Sequence, residues 1–289
     1  MGYGQDGAGP GLAFRKMHGA GNDFVVIDAR GGASPVTAAL ARALGDRHRG
    51  VGFDQLAVLE EAPGADVSVA FWNADGSRSA ACGNATRCIA SLLLAEGRGP
   101  RLSIAVEGRG RLAAALRADG LIEVDMGAPA TGWQAIPLAR AADTAALPLP
   151  GAPVAVSMGN PHAVHFVECL EGLDWQARGA AVERDPLFPE RTNVQFVEVL
   201  SPGRVRARIW ERGVGRTLAS GSSACAIAVA GHLTGRTGRA ISLELEGGVL
   251  EARLGEEGHA HLAGPVAEVF EGRLSAAFLA ALGAAEAAE

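Results

Sequence analysis

Apolar and polar positions alternate along this chain in short stretches separated by glycine and asparagine turns, a pattern typical of β-strands. Two longer segments, 83–94 and 222–233, are dominated by small and apolar residues and predict helices that are buried on nearly all sides. A third helix is predicted over 37–49. Strands are predicted over 24–27, 56–59, 67–72, 102–106, 111–116, 121–124, 154–157, 163–167, 192–197, 205–210, 241–245, 249–253 and 260–262.

The two halves of the chain resemble one another at one fixed offset, which is the separation of Trp72 from Trp210. In the first copy Cys82 precedes a glycine and an apolar helix, and in the second copy Ser220 does so. Two copies related by an approximate twofold axis place such groups on opposite faces of one substrate. This is the geometry that a racemase or epimerase needs.

A strongly curved sheet is the natural cover for a helix that is apolar on most sides. We therefore expect an α+β fold of two pseudo-symmetric, barrel-like β domains, each wrapped around a central helix. The expected domains are 13–128 and 129–266, and the tail 267–289 is expected to pack on the first of them. Residues 18–23 are expected to form a loop.

Composition and charge exclude several classes of function. The 289 residues carry a formal net charge of −6 without a clustered basic run, which argues against a nucleic-acid partner. No apolar stretch reaches about 18 residues and the glycine-rich start lacks a signal core, so we expect a cytoplasmic protein without a membrane partner. The cysteines other than Cys82 are interpreted as core residues, and no metal site is expected. The single lysine, Lys16, lies beside a turn without a phosphate cradle, so no pyridoxal phosphate or other cofactor is expected.

The residues around the two copies can bind and activate an amino acid. Cys82 precedes a helix start, where backbone N–H groups and the helix dipole lower the pKa of a thiol. The same N–H groups, at Gly83–Asn84 and Gly221–Ser222, can hold the α-carboxylate and stabilise the charge that develops as the α-proton leaves. Arg212 suits a further carboxylate and Glu211 suits an ammonium group. Other polar residues of the predicted pocket lie at strand ends and turns: Asn22, Asn73, Asn160 and Asn193. His18 and His162 either orient a catalytic group or pack within their loops.

These motifs resemble those of diaminopimelate epimerases over nearly the whole chain, from Phe14 to Phe270. The matching segments are 16–24, 50–55, 73–77, 81–84, 158–162 and 211–213. The resemblance implies a cofactor-free, two-base epimerisation of LL- and meso-2,6-diaminopimelate in lysine and peptidoglycan precursor biosynthesis, carried out by a homodimer. It assigns one catalytic acid/base to Cys82 and assigns substrate binding to Asn22, Gln55, Asn73, Gly83, Asn84, Asn160, Asn193, Glu211, Arg212, Gly221 and Ser222.

The chain departs from the family pattern at Ser220, where the family has a second cysteine, and Cys225 matches a later, non-catalytic position. A serine hydroxyl is a far weaker acid than a thiol and needs an activating neighbour to act as a base near neutral pH. Three interpretations stay open. Ser220 is the working second catalytic residue, or it is an inactivating change that leaves a binding-only paralogue, or the protein is a related isomerase or lyase for another amino acid.

Overall fold

The computed structural model describes residues 11–79 and 83–286, with side chains described as far as Gly283. The predicted catalytic residue Cys82 lies outside the described residues. The helices are α1 (Ala38–Gly45), α2 (Gly83–Ala95), α3 (Trp175–Glu183), α4 (Gly221–Leu233) and α5 (Ala276–Glu286). The strands are β1 (Leu12–Gly19), β2 (Asn22–Asp28), β3 (Gln55–Glu60), β4 (Val67–Asn73), β5 (Arg78–Ser79), β6 (Arg101–Val106), β7 (Gly110–Leu116), β8 (Ile122–Asp125), β9 (Val154–Ser157), β10 (Pro161–Val167), β11 (Asn193–Ser201), β12 (Arg204–Glu211), β13 (Gly215–Thr217), β14 (Ala240–Leu245), β15 (Gly248–Leu254), β16 (Ala260–Gly264) and β17 (Ala267–Leu274). Within these ranges no helix is long and apolar enough to cross a membrane.

The two halves have the same order of elements. In the first half β2 and β3 flank α1 and pair in parallel, as β10 and β11 do around α3 in the second half. The central helices α2 and α4 follow, and an antiparallel set of three strands follows each of them, β6 to β8 and β14 to β16. Across the boundary β8 pairs with β16, where Val124 lies opposite Leu262. The described strands form one continuous sheet of 17 strands, which confirms the predicted fold class.

The central helices lie inside the curved sheet. β1, β6, β7, β8 and β16 pack around α2, and β9, β10, β11, β14, β15 and β16 pack around α4. Ile89 and Leu93 of α2 and Ile227 and Val229 of α4 are at most 1% exposed. Burying one such side chain contributes roughly 1.5–3 kcal/mol. The two helices are therefore held firmly from all sides, and so are their N-terminal ends.

The end of the chain completes the sheet of the first half. At the start of the second half, Ala130 forms a β-bridge with Ser157 of β9. β17, which follows the second half, pairs along its length with β1 at the start of the chain, with Leu274 opposite Leu12. α5 then packs against α1, where Phe278 and other apolar side chains of α5 join the local core.

Several local predictions from the sequence were wrong. Residues 18–23 are not one loop, because β1 and β2 leave only the turn Ala20–Gly21, with φ angles of 53° and 82°. The helix predicted over 37–49 ends at Gly45, because the Asp46 side chain accepts two backbone N–H groups, from His48 and Arg49, and turns the chain. α3 and β17 were not predicted at all.

Candidate active site

The N-terminal ends of α2 and α4 meet at the boundary between the halves. A Cβ atom added to Gly221 would lie 2.6 Å from Leu262 Cδ2 and 3.5 Å from Gly83 Cα, and one added to Gly83 would lie 2.9 Å from Met126 Cε. A side chain at either position would have to displace Leu262 or Met126, so both helix starts are closely packed, and they lie in van der Waals contact with one another. Neither helix has an acidic residue in its first turn. The free backbone N–H groups therefore present a positive potential that suits a carboxylate.

Ser220 is the N-cap residue of α4, but its hydroxyl does not cap the helix. It is 5% exposed and donates a hydrogen bond to the carboxylate of Glu211, the last residue of β12. The helix N–H groups consequently stay available to a ligand. Burial raises the pKa of the Glu211 carboxyl and the charge of Asp54 adds to this, while the hydrogen bond from Ser220 opposes it. Glu211 thus holds a proton at higher pH than an ordinary glutamate does.

A buried polar network lies behind the turn that carries Asn160. Nε2 of His162 lies 2.9 Å from Asn160 Oδ1, and Nδ1 of His162 lies 3.0 Å from Gln195 Nε2. Gln195 Nε2 also donates to Ser223 Oγ, in the first turn of α4, over 2.9 Å. His162, Gln195 and Ser223 are fully buried, whereas Asn160 is half-buried. The network links the Asn160 turn to the start of α4.

Asn193 and Arg212 form a second group in the same half. Asn193 Nδ2 donates to the carbonyl oxygen of Pro161 over 3.0 Å, and Asn193 Oδ1 accepts from the backbone N–H of Arg212 over 3.0 Å. The Arg212 guanidinium donates to the carbonyl oxygen of Glu190 over 3.1 Å. The Asn193 side chain therefore ties the start of β10 to the backbone that carries Arg212.

In the first half Asn22 and Asn84 contact one another directly. Asn22 Nδ2 donates to Asp54 Oδ2 over 2.7 Å, and Asn22 Oδ1 accepts from Asn84 Nδ2 over 3.1 Å. Asn84 is fully buried, and its Oδ1 lies 3.5 Å from the Cβ position of Gly221. Asn84 thus faces the start of the central helix of the other half.

Gln55 and Asn73 lie opposite one another on β3 and β4. Gln55 Nε2 donates to Ser79 Oγ over 2.7 Å, and Asn73 Nδ2 donates to Ser77 Oγ over 3.0 Å. Ser79 comes shortly before Cys82 in the sequence. These amides therefore hold the strand that leads toward the predicted nucleophile.

The described residues of the predicted site thus fall into four contact groups: Asn22 with Asn84, Gln55 with Asn73, Asn193 with Arg212, and Glu211 with Ser220. Gly83 and Gly221 lie at the meeting helix ends, Ser222 follows Gly221 in the first turn of α4, and Asn160 belongs to the buried network.

Sequence analysis missed Asp54, Gln195 and Ser223 and left the role of His162 open. A comparison of the two copies in the sequence could have revealed the buried network. At the common offset of the repeat, His162, Gln195 and Ser223 correspond to apolar residues of the first half: Phe24, Ala57 and Ala85.

Comparison with known proteins gives a consistent result. A family model for diaminopimelate epimerase matches residues 14–131 and 154–269. Proteins named diaminopimelate epimerase from Acidiphilium cryptum (strain JF-5) and Rhodospirillum centenum are 50% and 49% identical to this chain; each match covers 92% of this chain, and 98% and 93% of those proteins.

Two solved structures share the fold at low sequence identity. A phenazine biosynthesis protein of the PhzF family from Bacillus anthracis has a TM-score of 0.67 at 14% identity, with 92% of this chain and 100% of that chain covered. A hydroxyproline epimerase from Agrobacterium vitis, with bound trans-4-hydroxy-L-proline, has a TM-score of 0.65 at 16% identity, with 91% of both chains covered.

Proposed function

This chain belongs to the diaminopimelate epimerase family, and we propose on that premise that it interconverts LL- and meso-2,6-diaminopimelate by cofactor-independent proton transfer at the α-carbon. The observation that carries the proposal is the meeting of the α2 and α4 N-termini at Gly83 and Gly221. Backbone N–H groups of Gly83–Asn84 and Gly221–Ser222 bind the α-carboxylate between the helix ends. They also stabilise the negative charge that develops on this group when the α-proton leaves.

The two protons pass through Cys82 and Ser220. In one direction the Cys82 thiolate takes the α-proton, while the Ser220 hydroxyl gives its proton to the other face of the α-carbon. Ser220 regains a proton from the Glu211 carboxyl, so that the products are a Cys82 thiol and a Glu211 carboxylate. In the reverse direction Ser220 takes the α-proton while it passes its own proton to the Glu211 carboxylate, and the Cys82 thiol gives its proton to the opposite face of the α-carbon. The hydrogen bond between Ser220 and Glu211, and the raised pKa of Glu211, support this relay.

The remaining site residues bind the distal end of the substrate. Arg212 and the amides of Asn160 and Asn193 suit the distal carboxylate, because a guanidinium and amide N–H groups donate to it. The first-half residues that complete the pocket are Asn22, Gln55 and Asn73. A diamino-dicarboxylate can bind both at the helix ends, through its α-carboxylate, and at these distal residues, through its second carboxylate. This favours it over a smaller amino acid, which has no distal carboxylate.

The test is proton NMR of LL-diaminopimelate incubated with the protein in D2O. Deuterium at the α-position together with meso product is the expected result. Exchange without inversion would mean that Cys82 acts alone and that Ser220 delivers no proton. Binding without any exchange would assign the chain to a non-catalytic paralogue, and loss of a β-substituent from another amino acid would assign it to a lyase.

The domains 13–128 and 129–266, the packing of the tail 267–289 on the first domain, the homodimer and the cytoplasmic location stay predictions. Two exposed apolar side chains on β17, Val269 and Phe270, are 56% and 46% exposed and support association with a second copy. Light scattering of the wild type and of the Phe270→Lys variant tests this point, because a dimer held at β17 should become monomeric in the variant.

A further inference from the structure

The buried network of His162, Gln195 and Ser223 exists in only one of the two copies. At the offset of the repeat, the first half has Phe24, Ala57 and Ala85 in these places. Asn22 and Asn160 are equivalent in the repeat, but they have different partners. Asn22 Nδ2 donates to a carboxylate, whereas Asn160 Oδ1 faces the imidazole of His162. The network therefore makes two equivalent asparagines chemically different.

Buried donors fix the direction of the hydrogen bonds in this network. Gln195 Nε2 faces two acceptors, His162 Nδ1 and Ser223 Oγ, and among the described residues Gln195 Oε1 has no partner. The reverse orientation of the amide would leave two buried N–H donors without a partner in place of one carbonyl oxygen. Buried unpaired N–H groups are rarer than under-satisfied carbonyl oxygens. Gln195 therefore donates to Nδ1 of His162, so the imidazole proton is on Nε2, which donates to Asn160 Oδ1.

The surroundings keep this imidazole neutral. Burial, followed by the charges of Arg212 and Arg109, lowers the pKa of His162 to about 3. The Arg109 guanidinium donates to the carbonyl oxygen of Met126 over 2.7 Å and lies 3.3 Å from the Cβ position of Gly159. A neutral imidazole has one donor and one acceptor, so the bond from Gln195 selects a single tautomer at neutral pH.

We propose that His162 and Gln195 are positioning residues that hold Asn160 with its NH2 group toward the substrate, where it donates to a carboxylate. The orientation follows from the contacts of the protein itself, whereas the carboxylate as ligand rests on the proposed function. Asn22 has a different setting, since its NH2 group donates to Asp54 and its oxygen accepts from Asn84 Nδ2. The fixed donor therefore belongs to Asn160 and not to its equivalent in the first half.

The tautomer of His162 tests the orientation without any substrate. Long-range proton–nitrogen NMR of protein with 15N-labelled histidine distinguishes the two neutral tautomers, and the His162→Gln variant identifies the His162 signal among the seven histidines. We expect a neutral imidazole with its proton on Nε2 at pH 7. A proton on Nδ1 would mean that the hydrogen bonds among Gln195, His162 and Asn160 run in the opposite direction. An imidazolium ion would mean that Gln195 accepts from His162 and selects no tautomer. Either result would overturn the proposal.

The Gln195→Met variant tests the consequence for binding. It keeps the volume of the side chain but removes the donor to Nδ1, so both tautomers and both orientations of Asn160 should become populated. We expect KM for diaminopimelate to rise roughly 3- to 10-fold, with kcat changed less than about 2-fold, because only the fraction of molecules with the Asn160 NH2 group toward the carboxylate can donate to it. The Thr237→Val variant, which removes another buried hydroxyl of the same half, should leave KM unchanged.

Three outcomes would overturn the role of these residues. In the first, the Gln195→Met variant keeps the single tautomer of the wild type. In the second, both tautomers appear but KM does not move. In the third, kcat falls instead of a rise in KM, which would place His162 in the chemical step. If the protein binds diaminopimelate without turning it over, the dissociation constant from calorimetry replaces KM. If the variant does not fold, the wild-type tautomer still decides the orientation.

Discussion

The hydroxyl of Ser220 lies against a carboxyl group that burial has made a weaker acid. An isolated serine would be a poor base, because its pKa lies far above that of a thiol. The proton on Glu211 removes this difficulty. Ser220 only transfers a proton between Glu211 and the substrate and does not have to remain deprotonated. The N-cap position adds to the effect: the hydroxyl makes no capping bond and stays free to move its proton between Glu211 and the substrate.

Replacing Ser220 with cysteine should raise turnover. A thiol at this position can itself hold and release the proton near neutral pH. We expect kcat of Ser220→Cys to increase about 10-fold or more, measured by the same NMR assay of LL-diaminopimelate. The Ser222→Cys variant, which places a thiol slightly further along the chain, should not gain activity. An unchanged or lower kcat in Ser220→Cys, with binding intact, would mean that the second proton does not pass through this position.

The Glu211→Gln variant separates stability from activity. The folded-state pKa of Glu211 is raised above its unfolded value, so the native protein binds the extra proton between the two values. Its contribution to the free energy of unfolding therefore falls as pH rises through that window. We expect Glu211→Gln to stabilise the protein by about 1 kcal/mol at pH 8, and less at pH 5, while turnover falls about 100-fold.

Calorimetric Tm values of both proteins from pH 5 to 8 measure the difference. The exposed control Glu256→Gln should show no pH-dependent difference from the wild type. A stabilisation by Glu211→Gln that shrinks as pH rises would contradict the assignment of a raised pKa to Glu211.

At the scale of elements, the sequence predicted the helices and strands that have a clear pattern of apolar residues and missed those that lack one. The segments 83–94 and 222–233 match α2 and α4 to within one residue at each end, since an apolar helix followed by polar turns has clear limits. α3 was missed because Trp175–Glu183 mixes small, polar and charged residues without an apolar stripe. β17 was missed because its side chains are mostly exposed and its strand character comes from pairing with β1, at the opposite end of the chain.

The meeting of the helix ends predicts the effect of a single methyl group. In Gly221→Ala the new Cβ would lie 2.6 Å from Leu262 Cδ2, so either the Leu262 side chain or the start of α4 must shift. We expect a loss of about 1–3 kcal/mol in the free energy of unfolding. KM should rise about 10-fold, because a shift of the start of α4 moves its N–H groups away from their place against the carboxylate.

Denaturant unfolding and steady-state kinetics measure the two effects. Gly99→Ala is the matched control, because a Cβ atom added to Gly99 meets nothing within 4 Å. A Gly221→Ala protein with the KM of the wild type would mean that the spacing of the two helix ends does not matter for substrate binding.

At the scale of the whole molecule, motifs and tertiary contacts contributed different parts of the site. Residue types such as Asn160, Glu211 and Arg212 could be predicted, because they lie in recognisable motifs beside turns. The partners of Asn22 and His162 could not, since Asp54 and Gln195 come from other parts of the chain and gain their roles only when the sheet closes. The assembled fold decides which groups exchange a proton and which groups hold an amide side chain in one orientation.

The pairing of β17 with β1 predicts that both halves unfold together. β17 leaves the second half and pairs with β1, so loosening it should loosen the first half and the sheet that joins the halves. Leu274 is 8% exposed in the core that β17 shares with β1, and Leu274→Ala should lower the free energy of unfolding by about 2–4 kcal/mol.

Circular dichroism reports on the whole sheet, whereas tryptophan fluorescence reports mainly on the second half, which has three of the four tryptophans. We expect one transition with the same lowered midpoint by both probes, and little change in the control Leu200→Ala, whose side chain is 38% exposed. If only the circular dichroism midpoint moved, the halves would unfold independently, and β17 would not couple them.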